Sequence, residues 1–238
     1  MRLSELVVSR YLAKIGRVIR VDKHGIKQLA KELEVYLARK TPPAPWGNRM
    51  LLRGHPFQIR AVDGSIREVF IQIKSVETDN PYYVVSGGLG YAQGKPVVVV
   101  FVNGSLDVKN PAANRSVQNQ LYPVLLHELT HAADKFTQGV GEELTEEEAR
   151  DNDRYYNHPT EVRAYLQEIL HEIDHMLPHI GNLRKVLYPN MGEALRVVLN
   201  QSKTWEEIEP HLTYRNKKLI MKAVAQEYED YLTQESER

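Results

Sequence analysis

The chain has 238 residues, and its 31 Lys plus Arg balance 31 Asp plus Glu, for a formal net charge of zero. Hydrophobic residues at 42% and charged residues at 26% suit a globular protein built as one large domain, or as a core with a small helical appendage. Zero net charge argues against a globally basic nucleic-acid binder, and the absence of cysteine excludes disulfide scaffolds, thiolate metal sites and cysteine nucleophiles.

No apolar run approaches the roughly 18–20 residues that span a membrane, and the first twenty residues hold no continuous apolar stretch of the kind a secretory signal needs. The expectation is a cytoplasmic protein. Residues 1–40 carry ten basic and four acidic residues, a net of +6, whereas residues 142–174 carry three basic and eleven acidic, a net of −8. The plain reading is two solvated helix faces, with mutual attraction as the alternative.

In chain order, Asp22 reads as an N-cap, and Ile26, Leu29, Leu33 and Tyr36 recur at helical spacing up to Lys40. Thr41-Pro42-Pro43-Ala44-Pro45-Trp46-Gly47-Asn48 then breaks the helix. Three β-rich runs follow, Arg67 to Lys74, Pro81 to Val85 and Val97 to Val102, separated by turn clusters such as Ala61-Val62-Asp63-Gly64 and Ser86-Gly87-Gly88-Leu89-Gly90. They predict three or four mostly antiparallel strands. Gly88 to Gly94 lacks the spacing of a dinucleotide fingerprint and reads as a hairpin loop. Beyond Asn110-Pro111 the pattern turns helical. Helices are expected over Ser116 to Phe136, for a short stretch within Glu142 to Arg154, and from a Thr160 cap to about Leu177, ended by Pro178. Two or three more follow Asn182, Arg215 to Leu232 being the clearest.

The chemistry concentrates in His127-Glu128-Leu129-Thr130-His131. On a helix, positions i and i+4 lie one above the other, so two imidazoles can share one metal ion. The intervening Glu128 is turned about 100° around the axis. It can reach a water at the metal's open position, where a general base belongs. Random order of this composition yields only about 0.03 such motifs per chain. Apolar flanks (Leu125, Leu126, Leu129, Ala132, Ala133) predict a buried helix, and buried histidines need partners. A second match, His171-Glu172-Ile173-Asp174-His175, places Asp174 at an inner position and meets Pro178 soon after. Together with His179 it reads as a polar stripe or a weak metal site.

A catalytic zinc usually takes three protein ligands plus water. Glu161, in Asn157-His158-Pro159-Thr160-Glu161, is the best third candidate, its direction preset by the helix start. Asp134 and His158 are the rivals. Asp134 follows His131 by three residues and also suits a role in orienting an imidazole.

H-E-x-x-H followed by a helix-borne Glu resembles the gluzincin group of zinc metallopeptidases, which includes thermolysin. The N-x-P-x-E-x-x-A string is similar to that of small intracellular and phage-associated peptidases of the same kind. The resemblance covers roughly residues 97–176. It implies Zn²⁺ as cofactor, His127, His131 and Glu161 as ligands, and Glu128 as catalytic base. The interval from His131 to Glu161 is longer than thermolysin's, and no specific family is assigned. Such enzymes also supply a group that stabilises the oxyanion. Tyr156, His158 and Tyr165 are the candidates, with Tyr155 and Arg163 nearby. They hold an extended peptide against an edge strand, and Val97 to Asn103 is the strand nearest in sequence, though too apolar for an edge.

The expected fold is α+β and zincin-like, with a small mostly antiparallel sheet, an active-site helix and a helical C-terminal part. The expected domains are a helical extension over 1–45, a metallopeptidase core over 46–180 and a helical subdomain over 181–238. The expected function is zinc-dependent endopeptidase acting on a protein or peptide, with no membrane partner and no nucleic acid. The alternative is a catalytically silent, metal-stabilised binding protein, associated with nucleic acid through its basic N-terminal helix. The sequence leaves the oligomeric state open.

Overall fold

A computed structural model describes residues 23–39, 50–51, 57–60, 66–92, 95–107, 110–138, 144–177 and 191–236. The Asp22 cap, the proline-rich 41–48 segment, the 61–64 turn, Pro178, His179 and most of the basic N-terminal segment lie outside the described residues. The chain divides into two compact units, one spanning residues 18–141 and one containing residues 142–238.

The first unit is α/β in composition. Helix α1 (Lys23–Arg39) buries Ile26, Ala30, Leu33 and Leu37 at no more than 2% exposure. This stripe follows the 3.6-residue period. It is rotated from the expected one, because Ala30 and Leu37 are seated while Leu29 is only half-buried.

Five strands follow: β1 (Met50–Leu51), β2 (Phe57–Arg60), β3 (Ile66–Val76), β4 (Val84–Ala92) and β5 (Lys95–Asn103). The sheet order is β1-β3-β5-β4, with β2 also paired to β3. Pairing is antiparallel except between β3 and β5, so the sheet is mixed but mostly antiparallel. Val69, Ile71 and Ile73 of β3 alternate inward, as do Val98, Val100 and Val102 of β5. Burying each such side chain contributes about 1.5–3 kcal/mol. Val97 to Asn103 is therefore an interior strand, and β4 is an edge strand among the described residues.

The glycine cluster expected in a hairpin loop instead lies within β4, which runs to Ala92, paired with Lys95 of β5. Helix α2 (Pro111–Gln138) packs on β4, β5 and α1, and its buried residues join theirs in one core. It begins five residues before the expected Ser116. That serine instead ties helix to sheet, its Oγ accepting from the Tyr83 N–H at 2.9 Å and the Val84 N–H at 3.3 Å.

The second unit is helical: α3 (Glu146–Arg150), α4 (Asn152–Asn157), α5 (Pro159–Met176), α6 (Met191–Leu199), α7 (Lys203–Ile208), a 3₁₀ turn (Glu209–His211) and α8 (Tyr214–Ser236). The single short helix expected within 142–154 is two. Thr145 starts α3 with a capping box to Glu148, and Asp151 ends it and caps α4 through its Oδ1. The cap of α5 is His158 rather than Thr160, because Pro159 occupies the first turn and places Thr160 inside the helix. Val162, Leu166, Ile169 and Ile173 form the apolar stripe of α5 and meet Leu199, Ile208, Ile220 and Val224. Asn157 closes this unit: its Nδ2 donates to the His211 carbonyl at 2.7 Å, and its Oδ1 accepts from the Thr213 N–H at 2.7 Å.

Candidate metal centre

The H-E-x-x-H helix is buried as its flanks require. Leu125, Leu126, Leu129 and Ala132 are fully inaccessible, and Thr130 satisfies its buried hydroxyl by donating to the Leu126 carbonyl at 2.7 Å. His127 and Glu128 are 9% and 8% exposed. One turn apart on α2, the imidazoles of His127 and His131 stand edge to face with centroids 4.7 Å apart. Glu161, 6% exposed, lies in the first turn of α5.

His127, His131 and Glu161 each offer one ligand atom, and these atoms all lie within 4.8 Å of one another. The group is close enough to bind a metal ion. Two imidazole nitrogens and a carboxylate oxygen are a donor set that suits zinc and other first-row divalent ions, so the residues fit the cation expected there. Neither Asp134 nor His158 belongs to this group. Asp134 is buried at 3% exposure, three residues after His131 on α2. The Nδ1 of His158 meets the Thr160 hydroxyl at 2.7 Å.

The tyrosines gather within the helical unit. The rings of Tyr155, Tyr156 and Tyr165 lie with centroids 5.2 to 6.4 Å apart. The Tyr156 hydroxyl donates to Glu207 at 3.0 Å, and its ring stacks on His211 at 5.1 Å. Burial foremost, then the charge and hydrogen bond of Glu207 and the charge of Glu161, pushes the Tyr156 phenol up to about 12. Burial and then Tyr155 raise Tyr165 further. Both phenols thus hold their protons at neutral pH and act as O–H donors.

The second H-E-x-x-H is built differently. His171 and His175 are edge to face with centroids 4.4 Å apart, His171 buried and His175 exposed. Glu172 turns away to accept from the hydroxyls of Ser202 at 2.5 Å and Thr204 at 2.9 Å, holding the start of α7. Its carboxylate is a structural tie.

One residue beside the site escaped the sequence reading. A side chain at Gly87 in β4 would run into Glu128 and Val124 of α2. The legible signal was the run of glycines within a strand-like stretch, which marks a close backbone approach. Asn103-Gly104-Ser105 has the Asn-x-Ser form of a glycosylation acceptor, but the asparagine has a structural role. Asn103 is 1% exposed, and its Nδ2 donates to the carbonyls of Thr78 at 3.1 Å and Asn80 at 2.7 Å.

The chain matches no protein-family model, no curated protein and no solved structure. Among the described residues, no helix is long and apolar enough to cross a membrane.

Proposed function

We infer that the chain is a zinc-dependent endopeptidase of the zincin type. The observation that carries this reading is the His127–His131–Glu161 group with a carboxylate, Glu128, next to the first histidine on the same helix. A structural zinc is closed by four protein ligands, whereas three leave a position for water or substrate. A divalent cation held by these residues supplies Lewis acidity, lowering the pKa of a water and polarising the scissile carbonyl.

The remaining work belongs to the chain's own groups. Glu128 takes the proton of the attacking water at its carboxylate and passes it to the leaving amine. Glu128 is only 8% exposed, and the limited water around its carboxylate strengthens its interactions. Tyr156, whose phenol senses the charge of Glu161, is the candidate donor for the developing oxyanion, exchanging its hydrogen bond to Glu207 for one to substrate, and Tyr165 is the second candidate.

The test is Glu128→Gln in the zinc-loaded protein, read on fluorogenic casein and a peptide library. Metal content should stay at wild-type level while hydrolysis falls at least about 100-fold. A Gln variant that cleaves as well as wild type would remove Glu128 from the mechanism. Stoichiometric metal without cleavage of any peptide would favour a metal-stabilised binding protein.

A further inference from the structure

A cavity of about 620 Å³ lies within the helical unit and shares no residue with the metal group. Three helical segments wall it, each presenting residues one turn apart, which stand one above the other. Arg196 and Asn200 come from the end of α6, where the Asn200 N–H donates to the Arg196 carbonyl at 2.9 Å. Trp205 and Glu209 come from α7 and the 3₁₀ turn, linked by the Glu209 N–H to the Trp205 carbonyl. Lys217 and Met221 come from α8.

The floor of the cavity is apolar and fixed. Leu199 and Trp205 are buried members of this unit's core, and Met221 packs against it, so the surface they offer is preformed. The charged groups divide into two kinds. Lys217 donates to Glu209, and these two answer each other at the wall. Arg196 on α6 and Glu206 on α7 are exposed and have no ion pair among the described residues. One guanidinium and one carboxylate, on different walls, are therefore open to a ligand, and Asn200 adds an amide one turn from the guanidinium.

This balance selects the ligand. An apolar carboxylate would answer Arg196 and leave Glu206 facing a like charge, and an apolar amine would do the reverse at Arg196. A neutral zwitterion with an apolar body answers both. The volume lies within the roughly 300–1,000 Å³ of small-molecule sites. We propose that this cavity binds a short apolar peptide with free termini, of dipeptide size. Its carboxylate meets Arg196 and Asn200, its ammonium meets Glu206, and an aromatic or large aliphatic side chain covers Leu199, Trp205 and Met221. The assignment does not rest on the peptidase reading.

The test reads binding at the cavity itself. The chain has two tryptophans, Trp46 and Trp205, so Trp46→Phe makes Trp205 the sole reporter. Full-length, zinc-loaded Glu128→Gln/Trp46→Phe protein is titrated with the dipeptide Phe-Leu, its N-acetyl form and its C-terminal amide. The free dipeptide should change Trp205 emission saturably, and each blocked form should bind at least about tenfold more weakly. Arg196→Gln should erase the difference between acid and amide. Glu206→Gln should erase the difference between free and acetylated amine. Each should leave the other difference standing, a pattern that a merely structural role would not produce. Calorimetry on the chain that keeps Trp46 gives the same constants if the Trp46 variant fails to fold. His131→Ala, its fold checked by circular dichroism, should bind the dipeptide as tightly as its parent. If that variant does not fold, acetohydroxamate, a zinc-binding competitor, should leave the dipeptide's affinity unchanged. Loss of binding in the first case, or competition in the second, puts the peptide at the metal centre and overturns the assignment. So does the absence of saturable binding, or equal affinity for all three forms. Tighter binding of decanoate than of the dipeptide also overturns it, and makes the cavity a site for a carboxylate amphipath. Casein hydrolysis by the wild type is scored separately, and its failure leaves this site standing.

Discussion

Gly87 of β4 lies against Glu128 of α2 so closely that a Cβ at position 87 would stand 2.6 Å from Glu128 Cγ and 2.9 Å from its Oε1. The same Cβ would be 2.7 Å from Val124 Cγ1. The strand is thus bare of side chain at the point where the helix presents the carboxylate of the motif. Overpacking of this kind costs about 1–3 kcal/mol. Gly87→Ala should lower the denaturant midpoint accordingly and displace Glu128. Adding Val124→Ala relieves only the valine clash, so stability should recover in part while the hydrolytic defect persists. Chemical denaturation together with kcat on one peptide checks both halves.

Metal content is the first quantity to measure. Mass spectrometry of the zinc-loaded, dialysed chain should give one ion per chain in the wild type. His127→Ala, His131→Ala and Glu161→Ala should each lose it, because each removes one ligand atom of the group. His171→Ala should retain it. Loss in the His171 variant alone would move the site to the second motif.

Chelation should also destabilise the protein. A ligand that binds only the folded state adds RT ln(1 + [L]/Kd), about 2.7 kcal/mol at one hundred times Kd. The melting temperature of the wild type should therefore fall on adding a chelator, and that of His131→Ala should not respond.

Glu172→Ala should act on stability alone. It removes the acceptor for the Ser202 and Thr204 hydroxyls, both on buried residues, and leaves those donors unsatisfied. A loss of about 1–3 kcal/mol is expected. Urea unfolding measures it, and metal content should remain at the wild-type level.

Alkaline titration has a definite sign. Tyr83, through burial and then the charge of Asp107, and Tyr156, through burial and then Glu207, both rise from 10.0 to about 12. A folded-state pKa above the unfolded one means that the folded chain holds the proton more tightly. Stability from this source is complete below the unfolded value near 10 and is lost as pH rises toward 12. The denaturant midpoint should fall across that window, and Tyr83→Phe should flatten the fall. The Tyr83 hydroxyl is buried with no hydrogen-bond partner among the described residues, so the Phe variant should match or exceed wild-type stability at neutral pH.

His127, Glu128 and His131 were legible because the requirement they meet is local: four residues make about one helical turn, and the turn alone sets two imidazoles on one face. The helix of Glu161 was legible from Pro159, although the residue that caps it is His158. The helices of the C-terminal part and the mostly antiparallel strands followed from periodicity in the same way. Other features depend on residues distant in sequence. The parallel register of β3 with β5 makes Val97 to Asn103 interior and leaves β4 at an edge. The approach of α2 explains Gly87 of β4, within a glycine run that by itself reads as a loop. The second H-E-x-x-H matches the first in pattern, yet its glutamate is tied to Ser202 and Thr204, thirty or more residues away. Sequence by itself determined which side chains can do chemistry and on which helices they stand. Only tertiary structure decided which carboxylate joins the two imidazoles and which one holds a helix start, because helical periodicity orients a side chain about its own axis and does not specify what packs against it.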